Sequence, residues 1–380
     1  MILHFACPKC GADMAYSIKL GKLYCQHCEY SEDIGSDPEE WRRMSENAEE
    51  ARAASAHEAA GQDTAGEAGQ EPAAPEAGAA AADEAGHETP EDYVQPQVCP
   101  NCGSPVSAGA KTCSTKCEYC DTSLILAERL QGDMRPASVL PFKLDRDNVT
   151  SAFLKWCHRG RFSPKGFASA KNIKKITPMY VPYWLYDMNL DVSVQAVATN
   201  VNIYQLGDIE YTETSFYDVG RDMNLEYHLV PFDASEKLDD TLMAKIQPYN
   251  YDELKDFQIP YLAGFMTDQR DYSDSDLLPQ AKQKVNEYAA GYARSTINGY
   301  GSVNIRHENV NYNTVDSRYV YLPLWFISYP FKDKEYIFAM NGQTGKVIGT
   351  PPLSAGKVVL WFLGISAVIF AVLILTGGLF

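Results

Sequence analysis

Positive charge is scarce in this chain. Its 380 residues carry 33 Lys and Arg against 50 Asp and Glu, a net charge of −17. A protein that binds a polyanion usually shows the opposite balance, so nucleic acid starts as a disfavoured partner. The deficit is local: residues 29–96 hold 19 acids against Arg42, Arg43 and Arg52, and the remainder is close to neutral. The same stretch lacks core-forming side chains. Between residues 46 and 96 it is mostly Ala, Glu, Gly, Gln and Pro, with no aromatic before Tyr93, so it cannot offset its ordering entropy and is expected to be disordered. Only its start, Ser36-Asp37-Pro38-Glu39-Glu40-Trp41, combines an N-cap residue, a first-turn proline and early acids, which predicts a short helix. Two readings of the segment stand side by side: an acidic tether that lets the preceding module search for a partner, and a solvated spacer.

Signatures of catalysis are also missing. There is no G-x-S-x-G, H-E-x-x-H or G-x-G-x-x-G, and His158, His228 and His307 have no neighbouring pattern of base and nucleophile. The nearest approach to a phosphate loop is AMNGQTGKVIGTPP, residues 339–352. Such a loop needs a leading glycine and a hydroxyl after its lysine, but Met340 and Val347 occupy those places, and Pro351-Pro352 follow where a helix should open. The stretch reads instead as two strands, YIFAM and KVIGT, joined by a turn in which Asn341-Gly342 and Gly345 supply positive φ. Asp271, Asp274 and Asp276 are assigned to capping and charging a helix from Leu277 rather than to a cation. The chain is read as non-enzymatic, with no catalytic residue and no small-molecule substrate.

Charge is absent altogether from residues 358–380, VVLWFLGISAVIFAVLILTGGLF. As a helix, Val358 to Thr376 would span about 30 Å, enough for a bilayer core. With Lys346 and Lys357 on the near side and no export signal in MILHFACPKC, the expectation is a single-pass tail anchor in the cell membrane, the bulk of the chain being cytoplasmic. Gly364 and Ser366 are too few to name a helix–helix motif, and oligomeric state is left open.

What the sequence does contain is a cysteine framework. Cys7-Pro-Lys-Cys10 and Cys25-Gln-His-Cys28 are C-x-x-C pairs separated by 14 residues, and Cys99-Pro-Asn-Cys102 with Cys117-Glu-Tyr-Cys120 repeats the spacing. Each pair forms a knuckle that aims two thiolates at one ion, and Gly11 and Gly103 supply the turn. Two closed four-thiolate sites predict two structural zinc ions, one in each of two small ribbons. Cys113 competes with Cys117 by proximity but not by spacing; His4 and His27 are read as surface residues.

Aromatic-rich strands and two helical stretches follow. DNVTSAFLKWCH (147–158) places Val149, Ala152, Phe153 and Trp156 on one face, and residues 277–297 do likewise with Ala281, Val285, Tyr288 and Tyr292. Each precedes a matching strand, Tyr180-Val-Pro-Tyr-Trp184 and Tyr321-Leu-Pro-Leu-Trp325. This suggests two related helix–strand halves in an α+β domain with a mostly antiparallel sheet, Pro182 and Pro323 lying at strand entrances or edges. The expected organisation is therefore a ribbon at 1–31, the acidic segment at 32–96, a ribbon at 97–128, the α+β domain at 129–356 and the anchor at 357–380. One basic stretch interrupts the acidic average: Lys155, Arg159, Arg161, Lys165, Lys171, Lys174 and Lys175, interleaved with Trp156, Phe162 and Phe167. It reads as a solvated loop, as a contact for anionic headgroups or an acidic protein segment, or as a nucleic-acid track.

Taken together, CPNCG…CEYC (99–120), YVPYW (180–184), HLVPFDAS (228–235), IQPYNYDEL (246–254), IPYLAGF (259–265), LPLWF (322–326) and NGQTGKVIGTPP (341–352) resemble a family of bacterial membrane proteins with a TFIIB-type zinc ribbon, sometimes labelled primosomal helicase-like. The resemblance covers roughly residues 97–380. Helicase activity is not carried over, because the nucleotide loop and helicase core are missing from the sequence. What the resemblance implies is company with SPFH (flotillin-like) and phage-shock-type proteins and recruitment to the membrane during envelope stress. The expected function is a tail-anchored adaptor or scaffold for cytoplasmic partners; the alternative is a membrane-tethered nucleic-acid-binding zinc-ribbon protein.

Overall fold

The computed structural model describes residues 2–35, 97–106, 108–159, 164, 175–331, 334–352 and 354–376. Residues 36–96 of the acidic segment, with its predicted helix, and Arg161, Lys165, Lys171 and Lys174 of the basic stretch lie outside these residues. The chain forms two units: residues 1–131 with 258–268, and residues 132–257 with 269–380. The fold is mixed α+β, as the sequence indicates.

The first unit opens with β1 (Ile2–Leu3), then the ribbon strands β2 (Met14–Ser17), β3 (Lys22–Cys25) and β4 (Ser31–Glu32), a three-stranded antiparallel sheet. The second ribbon contains β5 (Gln97–Val98) paired with β6 (Pro105–Val106), and β7 (Thr112–Lys116) paired with β8 (Ser123–Leu126).

The second unit begins with β9 (Ser138–Val139) and α1 (Arg146–Arg159), followed by a long hairpin of β10 (Thr177–Leu206) and β11 (Ile209–Asp233). At about 3.3 Å per residue β10 is on the order of 100 Å long. Then come α2 (Asp240–Ile246) and β12 (Lys255–Asp256), which pairs with β9. The chain then returns to the first unit for β13 (Met266–Asp268), which pairs with β7. It re-enters the second unit with α3 (Asp274–Thr296), β14 (Ser302–Phe331), β15 (Lys334–Asn341) and β16 (Val347–Ile348), and ends in α4 (Ala355–Leu375). The sheet of the second unit runs β11-β10-β14-β15-β16, antiparallel throughout, with β9 added parallel to β14.

The first ribbon is seated on the second rather than standing apart. β1 extends the second ribbon's sheet, Ile2 opposite Leu126 and Leu3 opposite Ile125. The Asp13 carboxylate accepts from Ser123 N at 2.9 Å, and Tyr16 N donates to Ala263 O at 2.9 Å. Tyr16 also packs on Tyr261 and Phe265, at 5.3 and 6.2 Å between ring centroids. Residues 258–268, placed by the sequence in the α+β domain, are therefore the seat of the ribbons. Gly264 sits at φ +92°, where an added Cβ would lie 3.2 Å from Ala15 Cβ, so glycine answers both the backbone and the close approach. His4 is 2% exposed, a correction to its reading as a surface residue: the β1–β8 pairing carries the adjoining residue out of water. His27 is exposed, as expected.

In the second unit the two Y-x-P-x-W motifs lie side by side in antiparallel register, Tyr180 opposite Pro323 and Pro182 opposite Tyr321. The two halves then repeat the same bonds reciprocally. Ala234 N donates to Pro182 O and Gly342 N to Pro323 O, each at 3.0 Å. Asp271 N and Tyr272 N donate to Ala234 O at 2.7 and 3.3 Å; Lys143 N and Leu144 N donate to Gly342 O at 3.0 Å each. Trp184 Nε1 donates to Tyr272 O and Trp325 Nε1 to Leu144 O, both at 3.0 Å. Tyr272 and Leu144 each stand two residues before a helix, α3 and α1 respectively, so each half's indole and turn hold the start of the other half's helix.

The prolines lie inside long strands rather than at their entrances, and the register explains why this is tolerated. A residue's N–H and C=O point to the same side of a strand. Pro182 O faces Ala234, just past the last β10–β11 pair at Tyr183–Asp233, and Pro323 O faces Gly342, just past the last β14–β15 pair at Leu324–Asn341. Each missing donor therefore falls where a neighbouring strand has ended.

The helices follow the apolar pattern with one correction. On α1, Val149, Phe153 and Trp156 are buried, and Phe153 and Trp156 each meet Phe338 at 5.2 Å. On α3 the buried stripe is Leu277, Ala281, Val285, Ala289 and Ala293, whereas Tyr288 and Tyr292 are 47% and 53% exposed. The alanines at four-residue spacing let the helix lie close to the sheet, and Tyr288 flanks it against Tyr227 at 6.2 Å. Ser273 and Asp276 form a capping box, as the sequence indicates for Asp276; Asp274 accepts from Ser317 Oγ, and Asp271 instead accepts from Glu236 N. The GQTGKV stretch is a hairpin turn, with Asn341 N donating to Lys346 O and Gly345 at φ +77°. Gly342 has no positive φ; it is there for space, since a Cβ would fall 2.6 Å from the Phe142 ring. Lys346 Nζ bonds to Gln247 O.

Replacing Trp325, 2% exposed, by Phe keeps an aromatic ring but leaves Leu144 O without its donor and a small void where the indole's second ring stood. The expected cost is about 1–3 kcal/mol, read as a lower denaturant midpoint of the detergent-solubilised chain. Gly342→Ala, which drives a methyl into Phe142, is expected to cost about 1–3 kcal/mol in the same measurement.

Candidate metal centres

All four C-x-x-C pairs adopt one knuckle. The first cysteine's N–H donates five residues ahead, Cys7 to Ala12 O, Cys25 to Tyr30 O, Cys99 to Ser104 O and Cys117 to Thr122 O, at 2.7–2.9 Å. Its carbonyl accepts from the residue four ahead, Gly11, Glu29, Gly103 and Asp121, at 2.8–3.0 Å. That last residue is left-handed in every case, at φ +71°, +61°, +73° and +58°. Two knuckles use the glycine that position favours; Glu29 and Asp121 accept the conformation at some cost.

The knuckles converge in pairs. Cys7 Sγ lies 3.4 Å from Cys28 Sγ and Cys10 Sγ 3.5 Å from Cys25 Sγ; in the second ribbon Cys99–Cys120 and Cys102–Cys117 are each 3.7 Å apart. Within each set the four sulfurs all lie within 4.8 Å of one another. Disulfide sulfurs would be about 2.05 Å apart, and all ten cysteines are free thiols. A tetrahedron with metal–sulfur bonds of about 2.3 Å has sulfur–sulfur edges of roughly 3.8 Å. The donor set and its spacing therefore fit a four-coordinate metal, and both groups can hold one. At Cys120 burial raises the thiol, but the hydroxyl and N–H of Thr122, with Cys102 and Cys117, outweigh it and bring it to about 6, whereas burial pushes its neighbour Cys99 up to about 12, so an ion that binds this set displaces protons from it.

The eight predicted ligands are all brought together, and the leftover cysteines are not among them. Cys113 is fully buried, its thiol 3.8 Å from both Lys111 O and Arg129 O. Cys157 is buried in α1, and burial pushes its thiol up to about 12, which makes it unreactive. Of the basic stretch, Lys155 and Lys175 are exposed among the described residues, and Arg159 ends α1. A feature the sequence reading missed is the reach of the β10–β11 hairpin beyond its partners. Past Thr199, β10 pairs with β11 alone, and Val201, Ile203, Leu206, Ile209 and Phe216 are 55–72% exposed.

Among the described residues one helix is long and apolar enough to cross a membrane: Gly356–Leu375, 20 residues, none of it buried within the structure. Consecutive exposed side chains from Val358 to Leu363 cover every side of it.

These features define a class: an α+β protein with two four-cysteine ribbons and one exposed apolar helix. The chain is 43% identical over 373 residues to "Uncharacterized protein YdjG" of Bacillus subtilis (strain 168), covering 98% of this chain and 97% of that protein. It belongs to the same family as YdjG. No protein-family model matches it, and no solved structure matches.

Removing one ligand separates the two sites. Cys117→Ser is expected to lower bound metal from two equivalents to one by elemental analysis, and to open residues 97–126 to protease. Gly103→Ala has open space around the new methyl, so its cost is conformational, about 1–2 kcal/mol, read as a lower chelator concentration for metal release.

Proposed function

We propose that this protein is a non-enzymatic membrane-anchored adaptor, held by α4 as a single pass with the rest of the chain cytoplasmic, and stabilised by two structural zinc ions at Cys7, Cys10, Cys25, Cys28 and at Cys99, Cys102, Cys117, Cys120. A four-thiolate site has no open coordination position for water or substrate, which supports a structural role for the metal. The observation that carries the adaptor reading is the free end of the β10–β11 hairpin. Its apolar side chains are exposed where a soluble surface would bury or omit them.

The chemistry of that arm favours a protein partner. From residue 176 to residue 220 there is no Lys or Arg, while Asp208, Glu210 and Glu213 flank the apolar tip. An acidic apolar surface repels phosphate backbones and anionic headgroups and suits a protein face that sets cations between apolar side chains. Together with the resemblance to the TFIIB-type zinc-ribbon membrane proteins, this supports recruitment of SPFH (flotillin-like) or phage-shock-type proteins in an envelope-stress complex.

The test places a photo-cross-linker at Phe216 in the full chain in its native membrane and identifies the captured species by mass spectrometry. A flotillin-like or phage-shock-type protein is expected, with recovery falling at least tenfold in Leu206→Asp and on deletion of residues 358–380. Nuclease-sensitive recovery of replication or transcription proteins, unchanged in Leu206→Asp, would overturn the reading in favour of nucleic-acid binding.

A further inference from the structure

The long arm of β10, β11 and β14 has two outer edges, and they are built differently. Along β14 the register on β10 slips twice, leaving Arg306 and Asn313 without an opposite residue. Bulges of this kind twist an edge strand and spoil it as a template for a further strand. β11 has no such guard. From Ile209 to Tyr227 every residue stands opposite one of β10 without a slip, and no proline interrupts the run. Among the described residues β11 pairs with β10 alone.

Which groups this edge offers follows from one bond. Ala234 N donates to Pro182 O, so the even-numbered residues of β10 turn their backbone groups towards β11. Opposite them, as far as Tyr227, stand the odd-numbered residues of β11, and successive residues of a strand turn their N–H and C=O to alternate sides. The backbone groups of the even-numbered residues from Glu210 to Glu226 therefore point away from β10, a row of donors and acceptors on the order of 60 Å long. The Gly220 carbonyl in this row accepts from Arg221 Nη1 at 2.8 Å, which sets the guanidinium at the edge.

Arg221 selects the partner. It lies on the face of β11 that meets α3, where Nη2 donates to Thr296 O at 3.4 Å, and among the described residues no carboxylate pairs with it. Residues directly opposite across an antiparallel edge share a face. Between Ile209 and Tyr227 the one acid on Arg221's face is Glu213. Two copies of β11 related by a twofold axis at Tyr217 set Glu213 of each opposite Arg221 of the other. The same register sets Ile209 opposite Leu225 and Tyr211 opposite Met223, apolar against apolar. Glu210, Asp218 and Asp222 then meet Asn224, Phe216 and Thr212, so no acid meets an acid, and the pairing ends before Glu226 reaches Asp208 in the hairpin turn. The backbone phase agrees as well, since Phe216 and Asp218, whose groups point outwards, face each other as a hydrogen-bonded pair.

We propose that two copies of this chain join edge to edge through β11, antiparallel from Ile209 to Leu225 in the register centred on Tyr217, so that the sheet of one continues into the other. A twofold interface requires a surface complementary to itself, and the Glu213–Arg221 spacing about Tyr217 supplies it. The pairing is independent of the adaptor reading: Phe216 stands opposite Thr199 on the face away from α3, which edge pairing leaves open.

The experiment places single cysteines in the full chain, treats isolated native membranes with a mild oxidant and reads the mass of the chain on a non-reducing gel. Parent membranes report the background of the ten native cysteines. Tyr217→Cys, at an exposed position on the twofold, brings its own thiol within disulfide reach, the Cα atoms of such a pair being about 4.5 Å apart. It is expected to give at least ten times the parent's dimer. Thr212→Cys and Asp222→Cys, both exposed, are expected to stay at background singly and to cross-link to each other when co-expressed. Glu213→Lys, also at an exposed position, opposes two cations and is expected to cut the Tyr217→Cys dimer at least tenfold. Background dimer from Tyr217→Cys, as much dimer from Thr212→Cys or Asp222→Cys alone, or an undiminished yield in Glu213→Lys would overturn the proposal.

Discussion

The second unit depends on one reciprocal bond: a buried indole N–H from each half given to the carbonyl that leads into the other half's helix. A strand pair alone would leave α1 and α3 free to slide, since a helix stripe such as Leu277, Ala281, Val285, Ala289 and Ala293 specifies a face but not an axial position. Trp184 and Trp325 fix that position with a directional bond, and the Ala234 and Gly342 turns add the neighbouring N–H groups. Because each half supplies the lock for the other, neither helix is anchored until both strands have paired. The folding of the unit is thereby made non-local, as the register of β10 on β14 already requires.

The first unit solves a different problem. Its ribbons are too short to bury enough apolar surface on their own, as the small cluster of Cys99, Val106, Cys117 and Leu124 shows. Two compensations operate at once. The thiolate sets offer metal coordination in place of core area, and β1, β8, β7 and β13 merge both ribbons with residues 258–268 into one sheet. Gly264 and Ser123, joined by a bond of 2.7 Å, sit where the first ribbon's Ala15 and Asp13 arrive.

Legibility in the sequence tracked the range of the interaction. The knuckles were readable because C-x-x-C-G closes within six residues, and the turn chemistry of Gly11 and Gly103 sits beside the ligands. The Y-x-P-x-W motifs announced a repeat, yet its substance, the exchange of indole and turn bonds between halves, was invisible because helix leads and turns fall at different offsets in the two copies. His4 looked exposed because nothing local reveals that the strand before it pairs with residues 125 and 126. Tyr288 and Tyr292 looked like core because an apolar periodicity counts a tyrosine as readily as an alanine, while close packing on a sheet favours the smaller side chain. Gly342 was read as a turn residue, and its actual constraint, the Phe142 ring, comes from two hundred residues earlier in the chain.

A repeat within one chain is also an internal control. Where both copies keep a residue, as at Tyr180 and Tyr321, Pro182 and Pro323, and Trp184 and Trp325, the shared fold explains it, and function need not be invoked. Differences carry the opposite weight. One copy continues its second strand for 25 residues and ends in an exposed apolar tip; the other stops after 8. The extra length does not help the frame, since the shorter copy holds its half of the lock with bonds of the same length. A feature that exposes apolar surface in one copy and is dispensable in the other must answer to something outside the frame, and in this chain that feature is the arm.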